Sequence, residues 1–179
     1  LVFLCFSIKL SAQNSDQMRR IDSVFHSNMN EKNKVELVLD ILKNKEFISI
    51  SKRADIHHKL GLLENSIGDY EKAIELTRKS INLRKQNDSI DYYELSKSLY
   101  NINYYYGKLN NGDKRKAIIK EIFSYPVENK FKYKALIDLA YLISEEGDYF
   151  RALEKFNDVV NSYDKYEDTK TLLKAHEGA

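Results

Sequence analysis

Apolar residues fall along this chain in stripes spaced three and four apart, the period of helices with one buried face. Leu60, Leu63 and Ile67 make one stripe, Leu95, Leu99, Ile102, Tyr106 and Leu109 a second, and Leu136, Leu139 and Ile143 a third. Past a short polar turn each is followed by another: Ala73, Ile74, Ser80 and Ile81, then Ala117, Ile118 and Ile122, then Ala152, Leu153, Phe156, Val159 and Val160. This alternation predicts helices of about 12–18 residues joined by short turns, an antiparallel helical array. A leading pair is predicted over 15–50, with helices near 16–28 and 32–45 on Ile21, Val24, Phe25, Val35, Leu39 and Leu42.

The turns repeat. I-G-D-Y-E-K-A-I at 67–74, N-G-D-K-R-K-A-I at 111–118 and E-G-D-Y-F-R-A-L at 146–153 share Gly-Asp, three residues, then Ala and an aliphatic residue. Gly68, Gly112 and Gly147 are read as helix ends, where a left-handed backbone disfavours any residue with a Cβ. Asp69, Asp113 and Asp148 then cap the next helix. Ala73, Ala117 and Ala152 fall one turn into it, small enough to let two helices approach closely.

The segment H-H-K-L-G-L-L-E-N-S-I-G-D-Y-E-K-A-I-E-L resembles a tetratricopeptide repeat, with its L-G pair (Leu60-Gly61), turn Gly68 and packing Ala73 in register. Glu64 stands for the usual Tyr of that pattern and Thr77 for the usual aromatic. The third copy keeps Leu139-Ala140, Gly147-Asp148-Tyr149, Ala152 and Phe156. In the middle copy Asn103 replaces a small residue, and two extra residues precede Gly112. Gly107 has no assigned role. The resemblance implies an all-α, right-handed superhelical solenoid of antiparallel helix pairs. Its three repeats span 52–166, at about 54–88, 95–130 and 132–166. Residues 167–179 are expected to begin a further, truncated repeat, with Gly178 at a helix–helix contact.

Composition supports a helical reading. One proline and six glycines in 179 residues are too few for a turn-rich β-sandwich or barrel. Twenty-nine Lys and Arg against 27 Asp and Glu exclude a polyanion-binding tail as the chain's main character. The single cysteine, Cys5, rules out an intrachain disulfide framework and any multi-cysteine zinc site. Residues 1–12, apolar from Leu1 to Ile8 and closing on Ser11-Ala12, resemble a truncated signal peptide, so an exported, bacterial-like location is expected. The stretch is too short to span a bilayer, which takes roughly 20 apolar residues. The chain is expected to be a fragment of a longer one.

Catalytic chemistry is not apparent. No Gly-rich phosphate loop, G-x-S-x-G elbow or H-E-x-x-H helix occurs. His57 and His58 are neighbours, about 100° apart around a helix, and cannot readily chelate one metal together. Glu145, Glu146 and Asp148 read as capping charge at a helix turn. No enzyme activity, cofactor or metal is expected. Residues 113–134 hold seven basic and three acidic residues, including Lys114, Arg115, Lys116, Lys130, Lys132 and Lys134, and residues 135–179 hold five and ten. The basic stretch fits an acidic partner or, more simply, a solvated outer face. Nucleic acid is not an expected partner.

By resemblance to the tetratricopeptide family, the first helix of each pair lines a concave groove. Its groove-facing positions here would be His58, Leu62 and Asn65, then Lys97, Tyr100 and Tyr104, then Ile137 and Tyr141. Tyrosines offer apolar area and a hydroxyl at small entropy cost; they equally suit gap-filling between repeats. The expected function is a non-enzymatic scaffold binding a segment of a protein partner in that groove. The alternative is the sensing or regulatory part of a larger enzyme, as in exported arrays that precede CHAT-type peptidase or sensor histidine kinase domains. Self-association is a further expectation.

Overall fold

Three turns of one geometry organise the chain. In the first, the Gly68 N–H donates to the Asn65 carbonyl at 3.1 Å, and the Asp69 N–H reaches back to Glu64 at 3.0 Å. Gly68 takes φ +89°, the left-handed region that ends a helix in this pattern. Asp69 then accepts from the Lys72 N–H at 3.1 Å and caps the following helix. At Gly147-Asp148 the same bonds run to Ser144 and Ile143 at 2.9 and 3.3 Å, with Gly147 at φ +88° and Asp148 capping Arg151.

The structure, a computed structural model, describes residues 15–43, 48–126, 128–162 and 177–178. The leader read at 1–12 and most of the further helix read at 167–179 lie outside these residues. Among the described residues every regular element is helical. They are α1 (15–26), α2 (Glu31–Lys43), α3 (Ile50–Ile67), α4 (Tyr70–Arg84), α5 (Tyr92–Lys108), α6 (Gly112–Phe123), α7 (Lys130–Glu145) and α8 (Tyr149–Asn161). Asn30 caps α2 and Ser49 caps α3 through side-chain oxygens. The chain divides into two compact units, Leu1–Ile90 and Asp91–Ala179.

The middle turn corrects the sequence reading. Its left-handed residue is Asn110, at φ +52°, and not Gly112. The Asn110 N–H donates to Gly107 at 3.1 Å, the Asn111 N–H to Tyr106 at 2.9 Å, and Asn111 caps α6 by accepting from Lys114. Gly112 is merely the first residue of α6. The turn therefore sits two residues earlier than the Gly-Asp pair suggests, and the two extra residues vanish. Asparagine tolerates the left-handed region because its short polar side chain bonds locally. With this frame the inward positions of the second helices match, Arg115 alone among them being half-buried rather than buried. Four residues after the cap lie Ala73, Arg115 and Ala152; eight after it lie Thr77, Ile119 and Phe156. Ala117 consequently faces solvent and takes no part in helix packing, also contrary to the expectation.

In the first unit, α1 to α4 share a core of Ile21, Val24, Val35, Val38, Ile56, Leu60 and Leu76, each fully buried or nearly so. Each such side chain contributes roughly 1.5–3 kcal/mol by leaving water. Gly61 carries the closest contact of the α3–α4 hairpin: a Cβ there would collide with Thr77 Oγ1 and lie 3.2 Å from the Ala73 carbonyl oxygen. In the second unit, α7 and α8 close on Ile137, Ala140, Ile143, Ala152, Phe156 and Val159. Gly178 lies against the Phe156 ring, where a Cβ would clash. Asn129 caps α7 and donates through Nδ2 to Ser96 Oγ at 3.1 Å, tying α7 to α5 in buried surroundings.

Candidate functional site

The common frame places the first helices position by position. Seven residues before each left-handed residue stand Gly61, Asn103 and Ala140, all buried. The residue after each of these is large, apolar and open: Leu62, Tyr104 and Tyr141 are 43, 47 and 39% exposed. Lys108 Nζ lies 5.2 Å over the Tyr104 ring. Tyr141 meets Phe156 edge to face at 5.1 Å and still leaves its outer side to solvent. A packed ring with one wet side is an apolar anchor at low entropy cost.

Three residues before the buried position the environment reverses. His58 and Ile137 are buried, so neither is presented to a partner, which corrects their assignment to a groove. His58 and Ile137 lie four residues, about 400°, before Leu62 and Tyr141, so they are offset from the open side chains by only about 40°, and packing covers them. Tyr100, at the equivalent position, is half-buried with its ring 5.9 Å from Phe131 and fills space between α5 and α7. Asn65 is half-buried, its carbonyl committed to the Gly68 turn. Lys97 is half-buried and donates to both Glu94 carboxylate oxygens, at 3.1 and 3.3 Å. Of the eight groove residues read from the sequence, Leu62, Tyr104 and Tyr141 remain open apolar anchors.

The middle hairpin carries a polar cluster in place of a small-residue contact. Asn103, with no exposed surface, donates through Nδ2 to Asp138 Oδ2 on α7 and accepts from Arg115 Nε at 3.4 Å. The Arg115 guanidinium lies 3.6 Å from the same carboxylate oxygen. Gly107 lies beside this cluster, and a Cβ there would meet Arg115 Nε at an ordinary contact distance of 3.5 Å. Arg115 and Asp138 went unread from the sequence. The available signals were the bulky Asn103 in a small residue's place and the otherwise unexplained Gly107 four residues on.

The basic stretch is largely spent within the second unit. Lys116 pairs with Glu146, and Lys132 donates to the Tyr125 carbonyl at 2.7 Å and to Glu128 at 3.2 Å. Lys114 lies over Tyr106 and Lys130 over Tyr93. In the first unit burial pushes the Glu64 carboxyl above its ordinary range, while the Lys72 N–H that Asp69 accepts holds the Asp69 carboxyl below its own. Among the described residues no three His, Cys, Asp or Glu side chains gather as a metal-binding group, and no helix is long and apolar enough to cross a membrane.

No protein-family model and no curated protein matches the chain. Solved structures do. A kinesin light chain-like protein from Podosopora anserina, built of nearly identical TPR-like repeats, superposes with a TM-score of 0.53 at 14% identity, covering 95% of this chain and 86% of that one. A single-substitution variant of it gives 0.54 over the same shares. The fold is that of TPR-like repeats. BtubC from P. vanneervenii also aligns, with a TM-score of 0.46 at 17% identity, over 94% of this chain and 71% of its own. At these identities the likeness extends to the TPR-like fold alone, whose hairpins here are α3–α4, α5–α6 and α7–α8.

Proposed function

We propose that the chain is a non-enzymatic interaction scaffold, which seats a segment of a protein partner on the open face of α5 and α7, the first helices of the two hairpins of the second unit. The observation that carries this reading is the recurrence of one exposed apolar side chain, Leu62, Tyr104 or Tyr141, at a single register position of three TPR-like hairpins. Monomeric surfaces scatter such residues singly, whereas recurrence at one position marks a surface built for contact. Tyrosines are also the residues on which binding energy tends to concentrate. The apolar run from Leu1 to Ile8, ending on Ala12, supports action outside the cytoplasm.

The test is a Tyr104→Ala/Tyr141→Ala double variant compared with the unaltered chain in cross-linking and pull-down from the source cell. The expected result is loss of a reproducible partner with the thermal midpoint shifted by no more than about 4 °C. Partners retained in full, or a collapse of thermal stability, would assign both tyrosines to packing instead.

A further inference from the structure

The first unit holds a pocket of about 250 Å³ at one end of the α3–α4 hairpin, remote in register from the open face. Its wall combines Arg53 and His57, one turn apart on α3, with Lys79 and Asn82 of α4 and Gln86 just past its end, closed by Leu42 of α2. Every polar member can donate a hydrogen bond, two are cations, and no carboxylate lines the pocket among the described residues. Arg53 Nε and His57 Nδ1 are buried without a hydrogen-bond partner. Buried polar atoms are nearly always satisfied, so two orphans on one wall need an explanation.

We propose that this pocket binds a phosphate monoester. The Arg53 fork and the Lys79 ammonium match the charge of a dianion, and His57, Asn82 and Gln86 supply further donors to its oxygens. Nearby anions are engaged elsewhere or weakly held. Asp55 turns to Arg84 at 2.8 Å, and Lys43 at the end of α2 pairs with Asp40. Glu75 holds Lys79 at 2.6 Å, but both side chains are more than half exposed, so that pair contributes little and can yield to a ligand. The carboxyl ends of α2 and α4 each bring only about half a negative charge. Burial, and after it the Lys79 and Arg53 charges, lower the His57 pKa to about 4, so the ring faces the pocket as a neutral donor. Leu83, at the same wall, adds apolar contact for whatever carries the phosphate.

The experiment titrates the full chain with inorganic phosphate at constant ionic strength, reading the His57 ring and Arg53 side-chain resonances. Saturable shifts with a dissociation constant of roughly 1 mM are expected, as are about tenfold losses in both Arg53→Gln and Lys79→Gln. Lys72→Gln, two turns before Lys79 at the start of α4 and outside the pocket lining, should bind as the unaltered chain does. Lys79 is exposed, so its variant keeps the fold and reads binding rather than stability. Non-saturating shifts, or equal binding by Lys79→Gln, overturn the proposal. A phosphoserine peptide and a nucleoside monophosphate separate the two sources of the group: tighter binding of either supports the site and names its source. Exclusion of both esters while inorganic phosphate binds overturns it.

Discussion

The backbone N–H of Asn111 donates to the Tyr106 carbonyl at 2.9 Å, and that bond sets the frame of the middle hairpin. Asp69 to Glu64 and Asp148 to Ile143 are its counterparts. The frame separates two residues that look alike on paper. Asn111 accepts the Lys114 N–H, whereas Asp113 is an exposed residue of the first turn of α6. Asn111→Ala should therefore cost about 1 kcal/mol in urea unfolding, and Asp113→Ala no more than about 0.5 kcal/mol. The larger loss at Asp113 would return the turn to Gly112.

Why the sequence misplaced that turn is physically plain. Glycine is the commonest left-handed helix terminator, and N-G-D at 111–113 offers it beside a capping acid. Asn110-Asn111 serves as well, because asparagine both tolerates the left-handed region and caps. Periodicity alone reports that helices alternate, which is why the all-helical fold and the seams at Gly61–Ala73 and Ala140–Ala152 were legible. It does not report which carbonyl a given N–H will reach. The open anchors Leu62, Tyr104 and Tyr141 were legible as one face, but the boundary of that face was not. His58 and Ile137 lie one turn away, where neighbouring helices bury them, and that depends on tertiary packing. The Arg53–His57 wall was hidden for a related reason: its partners, Lys79 and Asn82, come from the other helix of the hairpin, and Gln86 from the turn just after it.

Gly61 should resist enlargement. In a free helix Ala is favoured over Gly by about 1 kcal/mol, but here the added Cβ meets Thr77 Oγ1 and crowds a backbone carbonyl that cannot swing aside. Gly61→Ala is expected to destabilise by about 1–2 kcal/mol net. Adding Thr77→Ala should recover part of this, making the pair non-additive by denaturant unfolding. Gly107→Ala is the internal control. Its Cβ would meet Arg115 at ordinary contact distances, so a neutral or stabilising outcome of up to about 1 kcal/mol is expected.

Asn103, Arg115 and Asp138 should behave as one unit. Arg115→Ala leaves Asn103 Oδ1 without its Arg115 donor and removes the cation beside a mostly buried carboxylate, for an expected loss of about 2–3 kcal/mol. Replacing the cluster with the small-residue solution of the third hairpin, through Asn103→Ala, Arg115→Ala and Asp138→Leu together, should cost less than the three single losses summed. Strict additivity in urea unfolding would mean that the three side chains act independently.

His57 gives the chain a pH dependence whose sign follows from burial between two cations. Its pKa falls from the ordinary 6.5 to about 4, so below pH 6.5 the unfolded chain takes up a proton that the folded chain refuses. Stability contributed by this group is present above pH 6.5 and drains away as the pH falls towards 4. The imidazole is only partly buried, so solvent screening reduces the expected loss to about 1–2 kcal/mol. Carboxylates titrate in part of the same window, and the readout is accordingly a difference. Unfolding free energies of the unaltered chain and of His57→Gln, measured at pH 7.0 and 4.5, should diverge at neutral pH and draw together in acid. A gap that stays constant would mean that His57 is not held neutral in the folded chain. Repeating the pair in phosphate-containing buffer adds a second reading, since a phosphate anion, singly charged in acid, beside Arg53 and Lys79 would raise the imidazole pKa and shallow the acid slope of the unaltered chain alone.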